Sequence, residues 1–202
     1  TRESIDPVRF ISNHSSGKMG YAIAKVCAAR GAEVTLVTGP TEIAKPLFAK
    51  VIPVTTAKEM FDVVKEEAVQ ADIVCKAAAV ADYRPAHVAE EKVKKSGEEM
   101  TLQMEKTDDI LKYLGEHKRP GQFLCGFSME TENMVSNSRK KLEKKDLDMV
   151  AANNLKDAGA GFKGDTNLVT LITRDEEIQL PLLSKEETAN RILDKVLQQL
   201  NK

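Results

Sequence analysis

Apolar positions along this chain follow two alternating periods. Residues 18–30 carry them at helical spacing and stop at Gly31, which suits a left-handed helix end, and the β-rich run 33–38 follows directly, giving half of a βαβ unit. Residues 50–54 make a short strand, and Thr56 with Glu59 forms a capping-box pattern that opens an amphipathic helix over 57–70. The pattern then predicts a buried strand over 71–79, a short helix over 108–116, a strand over 122–127, a long helix over 130–145 and a strand over 147–152. Such alternation predicts an α/β fold with a Rossmann-like, doubly wound and mostly parallel sheet. The last quarter differs, because 168–173 and 177–180 flank a polar turn at 174–176 and predict a β-hairpin. Ser184 and Glu187 repeat the capping-box pattern ahead of a terminal helix with Ile192, Leu193, Val196, Leu197 and Leu200 on one face.

The turn feeding the first helix is the richest in chemistry. Residues 10–20, Phe-Ile-Ser-Asn-His-Ser-Ser-Gly-Lys-Met-Gly, set an amide, hydroxyls, a lysine and two glycines ahead of unpaired helix amides. That composition suits a phosphate or a carboxylate. A Walker loop fails here, since Ser12 stands where its first glycine is required and Met19 where Ser or Thr would hold magnesium. A dinucleotide fingerprint keeps only Gly17 and Gly20, and the following strand ends in Thr38-Gly39-Pro40 without an acidic residue. The Tyr21-x-x-x-Lys25 spacing matches that of short-chain dehydrogenases, but it lies inside the first helix rather than on a later one. A helix entered in this way is expected to follow a first strand, and only about ten residues precede the loop. An upstream segment is therefore expected to have been removed.

Composition narrows the classes. The 202 residues fit one domain, and a net charge of −1 with 30% charged residues gives no global field for nucleic acid or an anionic membrane. No run approaches the roughly 18 apolar residues of a spanning helix and no basic-apolar leader opens the sequence, so a soluble, cytoplasmic protein is expected. Cys27, Cys75 and Cys125 sit in apolar patterns and suit reduced core thiols, and His14, His87 and His117 have no metal-ligand spacing.

Further clusters fall at predicted strand and helix ends. Residues 77–84, Ala-Ala-Ala-Val-Ala-Asp-Tyr-Arg, follow a strand and let a ligand approach the backbone, although a packed strand with a solvated Asp82 reads equally well. Lys92, Lys94 and Lys95 form a basic run that is either a solvated loop or a lid whose charge meets a polyphosphate. Lys141 and Lys145 share a helix face, as ordinary solvated lysines also do. Asn153-Asn154 and the glycine-rich 159–167 read as a plain loop or a recognition arm.

Jointly, the string Asp6-Pro-Val-Arg9-Phe-Ile-Ser-Asn13-His-Ser-Ser-Gly17-Lys-Met-Gly20, the string 77–84 and Lys92-Val93-Lys94-Lys95 resemble the phosphopantothenate cysteine ligase family in identity, order and spacing. The resemblance extends over essentially the whole chain, including Gly126-Phe127, Glu130-Thr131 and the arm near Phe162. It implies a ligase that activates 4′-phosphopantothenate with CTP, releases pyrophosphate, and passes the acyl-cytidylate to L-cysteine, giving phosphopantothenoylcysteine and CMP in coenzyme A biosynthesis. By resemblance Asn13 and Lys92 are the catalytic pair, and Arg9, Asn13, Ala78 and Ala79 bind phosphopantothenate. Nucleotide contacts are implied at Lys76, Ala77, Ala78, Asp82, Lys92, Asp108, Asp109, Ile110, Leu111, Phe127, Lys141 and Lys145. Mg2+ is implied by the triphosphate, with no ligand named. FMN is implied only in a fused phosphopantothenoylcysteine decarboxylase half, and a single domain over 1–202 is expected to dimerise through an arm and hairpin at 153–183.

Three departures from the family stand out. Its first strand and glycine-rich turn are absent before Thr1, Lys76 replaces a small residue, and Thr107-Asp108 replaces an Asn-Pro pair seen in some relatives. The last two adjoin the implied base pocket and bear on CTP against ATP. The rival readings are an NAD(P)-dependent oxidoreductase of Rossmann type, from Gly17, Gly20 and Tyr21/Lys25, and a non-catalytic dimerisation domain.

Overall fold

The computed structural model describes residues 1–95, 99–154 and 164–201. Their elements in chain order are β1 (Arg2–Ser4), β2 (Phe10–Ser12), α1 (Lys18–Ala29), β3 (Thr35–Thr38), β4 (Lys50–Pro53), α2 (Ala57–Glu67), β5 (Ile73–Lys76), β6 (Tyr83–Pro85) and β7 (Met104–Lys106). There follow α3 (Ile110–Glu116), β8 (Phe123–Glu130), α4 (Met134–Lys144), β9 (Met149–Asn154), β10 (Thr166–Asn167), β11 (Val169–Thr173), β12 (Glu177–Gln179), β13 (Leu183–Ser184) and α5 (Lys185–Leu200).

Successive residues of a strand face opposite sides of its sheet, and here both sides are apolar. Leu124, Val150, Ala152 and Ile172 point to one face, where they meet Met60 of α2, Ile110, Leu111 and Leu114 of α3, and Leu142 of α4. Phe123, Cys125, Met149, Ala151 and Leu171 point to the other and pack on Ile192 and Val196 of α5. α1 lies against α5 through Ile23, Val26, Ala189 and Leu193. Helices on both faces make the sheet doubly wound, as the alternation predicts. Its five strands run in the order β12-β11-β9-β8-β5, with β5, β8 and β9 parallel and the β11–β12 hairpin antiparallel.

The hairpin expected at 168–180 therefore completes the central sheet, and β11 is buried along its whole length. Residues 155–163 of the expected arm lie outside the described residues. β3 and β4 pair in parallel as a separate ribbon, and the first 12 residues fold back as the antiparallel pair β1–β2, registered Arg2 to Ser12. That ribbon leads into the loop before α1. The strand expected over 71–79 leaves the sheet after Lys76, so 77–79 are free to line a cleft. The long helix begins at Met134, because β8 stays paired with β9 through Glu130 and Asn133 turns into the left-handed region at φ 49.

The cysteines are unoxidised thiols. Cys75 lies opposite Cys125 in the β5–β8 register, and its thiol together with burial raises Cys125 well above its ordinary pKa. Burial, helped by Cys75, pushes Cys27 up to about 11. Cys27 and Cys125 therefore stay protonated and unreactive near neutrality.

Candidate functional site

The loop ahead of α1 folds as an open helix entrance. Gly17 has φ +79, which glycine adopts at little cost, and no side chain caps the helix there. An uncapped first turn presents amide hydrogens and positive partial charge to an anion. The Asn13 side-chain amide reaches across from this loop to donate to the Ala79 carbonyl at 3.0 Å. Gly20 faces Ala77, whose Cβ lies 3.8 Å from the point where a Cβ on Gly20 would sit. These approaches form a cleft of about 130 Å³ between 15–20, 77–79 and 127–129, floored by Asn153 and Asn167 and edged by Lys185.

The floor is polar where the strand pattern is otherwise apolar. Asn153 donates its side-chain amide to Asn167 Oδ1 at 3.0 Å, while its own Oδ1 is buried without a hydrogen-bond partner among the described residues. A buried acceptor without a donor is costly, and it suits a ligand N–H or ammonium entering the cleft. Lys185 donates to the carbonyls of Gly164 and Thr166, and Lys18 pairs with Asp165 at 2.6 Å. Asn153 and Asn167 belong to the stretches that read as a plain loop or a recognition arm, whereas their meeting in one cleft, and the part of Lys185, carry no signal in the sequence.

A cluster of charge gathers at the end of β5. Lys145 pairs with Asp109 at 2.8 Å, and Asp109 caps α3 by accepting from the Lys112 amide at 3.1 Å. Gly115 fixes the two helices closely, since a Cβ there would fall 2.0 Å from the Lys145 carbonyl oxygen. Lys141 donates to the Phe127 carbonyl at 2.7 Å, which ties this cluster to the cleft wall. The Lys76 ammonium makes no hydrogen bond or ion pair among the described residues. Burial first, then the Lys141 and Lys145 charges, push it down to about 8 against the pull of Asp109 and Asp82. Burial and Lys145 likewise lower Lys141. Burial works to raise Asp109, but its bonds from Lys145 and Lys112 prevail and hold it below the ordinary carboxylate value.

The expected site residues thus fall into three groups. Asn13, Ala77, Ala78, Ala79 and Phe127 meet at the cleft, where Phe127 is half-buried in the wall. Lys76, Asp82, Asp109, Lys141 and Lys145 form the adjoining charged cluster. Arg9 and Lys92 do not line the cleft; Arg9 pairs with Asp6, and Lys92 is exposed with no bond among the described residues. Asp108 is exposed, whereas Ile110 and Leu111 turn their side chains into the core and offer a ligand only their backbone. The Tyr21–Lys25 pair does not act together, for Lys25 is bound to Glu186 at 2.7 Å and the Tyr21 hydroxyl is buried without a partner among the described residues.

The sequence pattern of the DNA/pantothenate metabolism flavoprotein C-terminal domain family matches residues 1–200. The chain belongs to that family. It is 46% identical over 198 residues to the coenzyme A biosynthesis bifunctional protein CoaBC of Bacillus subtilis strain 168, covering 97% of this chain and 48% of that protein. With its namesake in Vibrio parahaemolyticus serotype O3:K6 it is 44% identical over 200 residues, covering 97% of this chain and 50% of the relative. The chain thus spans about half the length of these curated relatives. The crystal structure of the C-terminal domain of a CoaBC superposes with a TM-score of 0.84 at 44% identity, over 100% of this chain and 91% of that one. Among the described residues of this family member, no helix is long and apolar enough to cross a membrane.

Proposed function

We propose that the chain is a phosphopantothenate cysteine ligase domain that uses CTP and acts in coenzyme A biosynthesis, as its CoaBC relatives do by name. The observation that carries this reading is convergence. An uncapped helix N-terminus, the exposed backbone of 77–79 and the Lys76, Lys141 and Lys145 cluster meet at the carboxyl ends of β5 and β8, where open α/β sheets bind ligands. Such a site suits a triphosphate beside a carboxylate.

In the first step a carboxylate oxygen of 4′-phosphopantothenate attacks the α-phosphorus of CTP. The bond to the bridging oxygen breaks, and pyrophosphate leaves with that electron pair. Lys76, Lys141 and Lys145 offset the charge on the nucleotide, and Lys92 meets the charge that develops on the transferred phosphate. Asn13, already turned toward Ala79, holds the carboxylate and then the acyl-cytidylate through its amide. In the second step the cysteine amine attacks the acyl carbon, the C–O bond to CMP breaks, and the ammonium proton is lost to solvent. Asn153, which lines the cleft, is proposed to accept from that amine once its buried Oδ1 turns outward. Arg9 grips the phosphate of phosphopantothenate.

Magnesium, when bound, neutralises triphosphate oxygens. The described residues hold no cluster of three or more carboxylate, histidine or cysteine ligands, which fits an ion held by the triphosphate and water. FMN belongs to a decarboxylase half fused to or associated with this domain. The domain is proposed to act in the cytoplasm as a homodimer, its unoxidised thiols agreeing with a reducing compartment.

The test mixes the chain with 4′-phosphopantothenate, cysteine, magnesium and either CTP or ATP, and follows pyrophosphate release and product mass. Pyrophosphate that depends on phosphopantothenate, with the cysteine conjugate and more than tenfold loss in Asn13→Ala, is the expected result. Quenching of NAD(P)H fluorescence by the chain, with no response to either nucleotide, would favour the oxidoreductase instead.

A further inference from the structure

Asp6 lies in the turn between β1 and β2 and does not line the cleft. Its carboxylate is fully buried and accepts five hydrogen bonds. Oδ1 takes the amides of Val8 and Arg9 at 2.8 Å each, which closes an ordinary Asx turn over 6–9. Oδ2 does something a turn does not need. It takes Arg9 Nε at 2.9 Å, Arg9 Nη2, and the Val93 amide at 3.2 Å from 87 residues away. Arg9 Nη2 in turn donates to the Val93 carbonyl at 2.8 Å. Both backbone groups of Val93 are therefore held by one ion pair, as a strand neighbour would hold them. The residue immediately before Val93 is Lys92.

Two consequences follow from this geometry. Arg9 has Nε and Nη2 turned inward, leaving Nη1 without a partner among the described residues on a side chain that is 41% exposed. The guanidinium thus keeps one donor for an anion in a fixed direction. Lys92 has its backbone tethered at Val93 and its ammonium unengaged among the described residues. A tethered stem with an unengaged head is how a charge is positioned without being neutralised. The Arg9 guanidinium, aided by the three amides and opposed by burial, keeps the Asp6 carboxyl far below the usual carboxylate range, so the clip stays charged wherever the enzyme works.

We propose that Asp6 is a positioning residue, clipping Arg9 and the Lys92–Val93 backbone together so that substrate phosphate and transferred phosphate are met by two cations at a fixed separation. The inference rests on the ligase reading. It adds that the two cations that do not line the cleft, Arg9 and Lys92, are one unit, governed by a carboxylate that never touches substrate.

The experiment compares Asp6→Asn, Lys92→Ala and the double variant, with amide hydrogen exchange read at Val93 in the same preparations. Asp6→Asn keeps the shape but turns an NH2 group toward Arg9 or the Val93 amide. The expected result is a protected Val93 amide in the parent chain, exchange at least tenfold faster in Asp6→Asn, and unchanged protection in β8 and β9. At saturating phosphopantothenate, where the Arg9 contribution appears in KM, turnover in Asp6→Asn falls at least tenfold with CTP KM within twofold, and the loss shrinks below twofold when Lys92 is already Ala. Val93→Pro, which deletes the long-range donor and spares the ion pair, gives the same loss of turnover and the same dependence on Lys92, read without exchange because proline has no amide hydrogen, and serves if Asp6→Asn does not fold. An unprotected Val93 in the parent chain overturns the clip. Equal loss from Asp6→Asn with and without Lys92 overturns the positioning role, because Asp6 would then act only through the fold. A parent chain with the clip intact that releases no pyrophosphate with any nucleotide overturns the ligase reading and the positioning role with it.

Discussion

Lys195 and Lys76 are lysines in protected places, and they are treated in opposite ways. Lys195, on α5 behind the sheet, is 5% exposed, and its ammonium meets Glu176 at 2.7 Å and Gln198 at 2.9 Å. The ammonium of Lys76, at the front end of β5, has no bond among the described residues and feels Lys141 and Lys145, so burial and like charge depress it to about 8. A buried charge that is paired maintains the fold, whereas one left short of partners costs stability and persists where a ligand completes it. The back edge of the sheet is electrostatically finished and the front is not.

The strongest way to break this contrast is at Lys92. If the unengaged cations are the site, Lys92→Ala lowers turnover by about 10²–10³-fold while the melting temperature stays within about 1 °C, as measured by pyrophosphate release and thermal unfolding. A normal rate would remove Lys92 from the chemistry.

Lys76 sharpens the contrast through pH. Lys76→Met is expected to raise the KM for CTP about tenfold at pH 7, with the difference from the parent fading as the pH passes 8 and the parent lysine loses its charge. Its folded pKa lies below the ordinary 10.5, so the folded state holds fewer protons than the unfolded state between those values. Stability of the parent relative to Lys76→Met therefore rises from pH 8 toward 10.5, and the cost of the buried charge is fully present below 8. Denaturant unfolding at pH 7 and 10 checks the sign, and a parent that gains nothing on the variant would contradict the assignment.

Lys195→Ala should do the reverse. It strands Glu176, but that carboxylate is 38% exposed and rehydrates, so the expected loss is about 1–2 kcal/mol, or roughly 2–8 °C in melting temperature. CTP KM should not move. The smallest effect is expected at Lys25→Ala, whose exposed pair with Glu186 is worth at most about 1 kcal/mol and whose loss leaves catalysis unaltered. A catalytic defect there would revive the Tyr21/Lys25 reading.

Local chemistry was legible where one segment carries its own signal. The end of α1 shows in Gly31, which has φ +87, and the terminal capping box is present in full between Ser184 and Glu187. The Thr56 box is half realised: Thr56 accepts from Glu59, but the Glu59 carboxylate turns to the Thr55 amide at 2.7 Å instead of the cap's own. The two faces of β8 and β9 follow from unbroken apolar runs. Elements stabilised across distance left no period to read. The β6–β7 ribbon is held across strands by Arg84 and Glu105 at 2.7 Å. The first ribbon buries Glu3, which accepts from the Ala57 amide at the start of α2. The same limit hid parts of the site, because Asn153, Asn167 and the Asp6–Val93 clip depend on partners 14 to 87 residues away.

The most direct test of the reaction follows one oxygen atom. With 4′-phosphopantothenate labelled by 18O in its carboxylate, turnover through an acyl-cytidylate must leave one labelled oxygen in the phosphate of CMP, because that oxygen attacks phosphorus and stays there when the amine takes the acyl carbon. Mass spectrometry of the nucleotide product is predicted to show CMP heavier by one 18O, formed in step with phosphopantothenoylcysteine. Unlabelled CMP, or label recovered in inorganic phosphate beside CDP, would mean that the carboxylate is not activated at the α-phosphorus and would contradict the account.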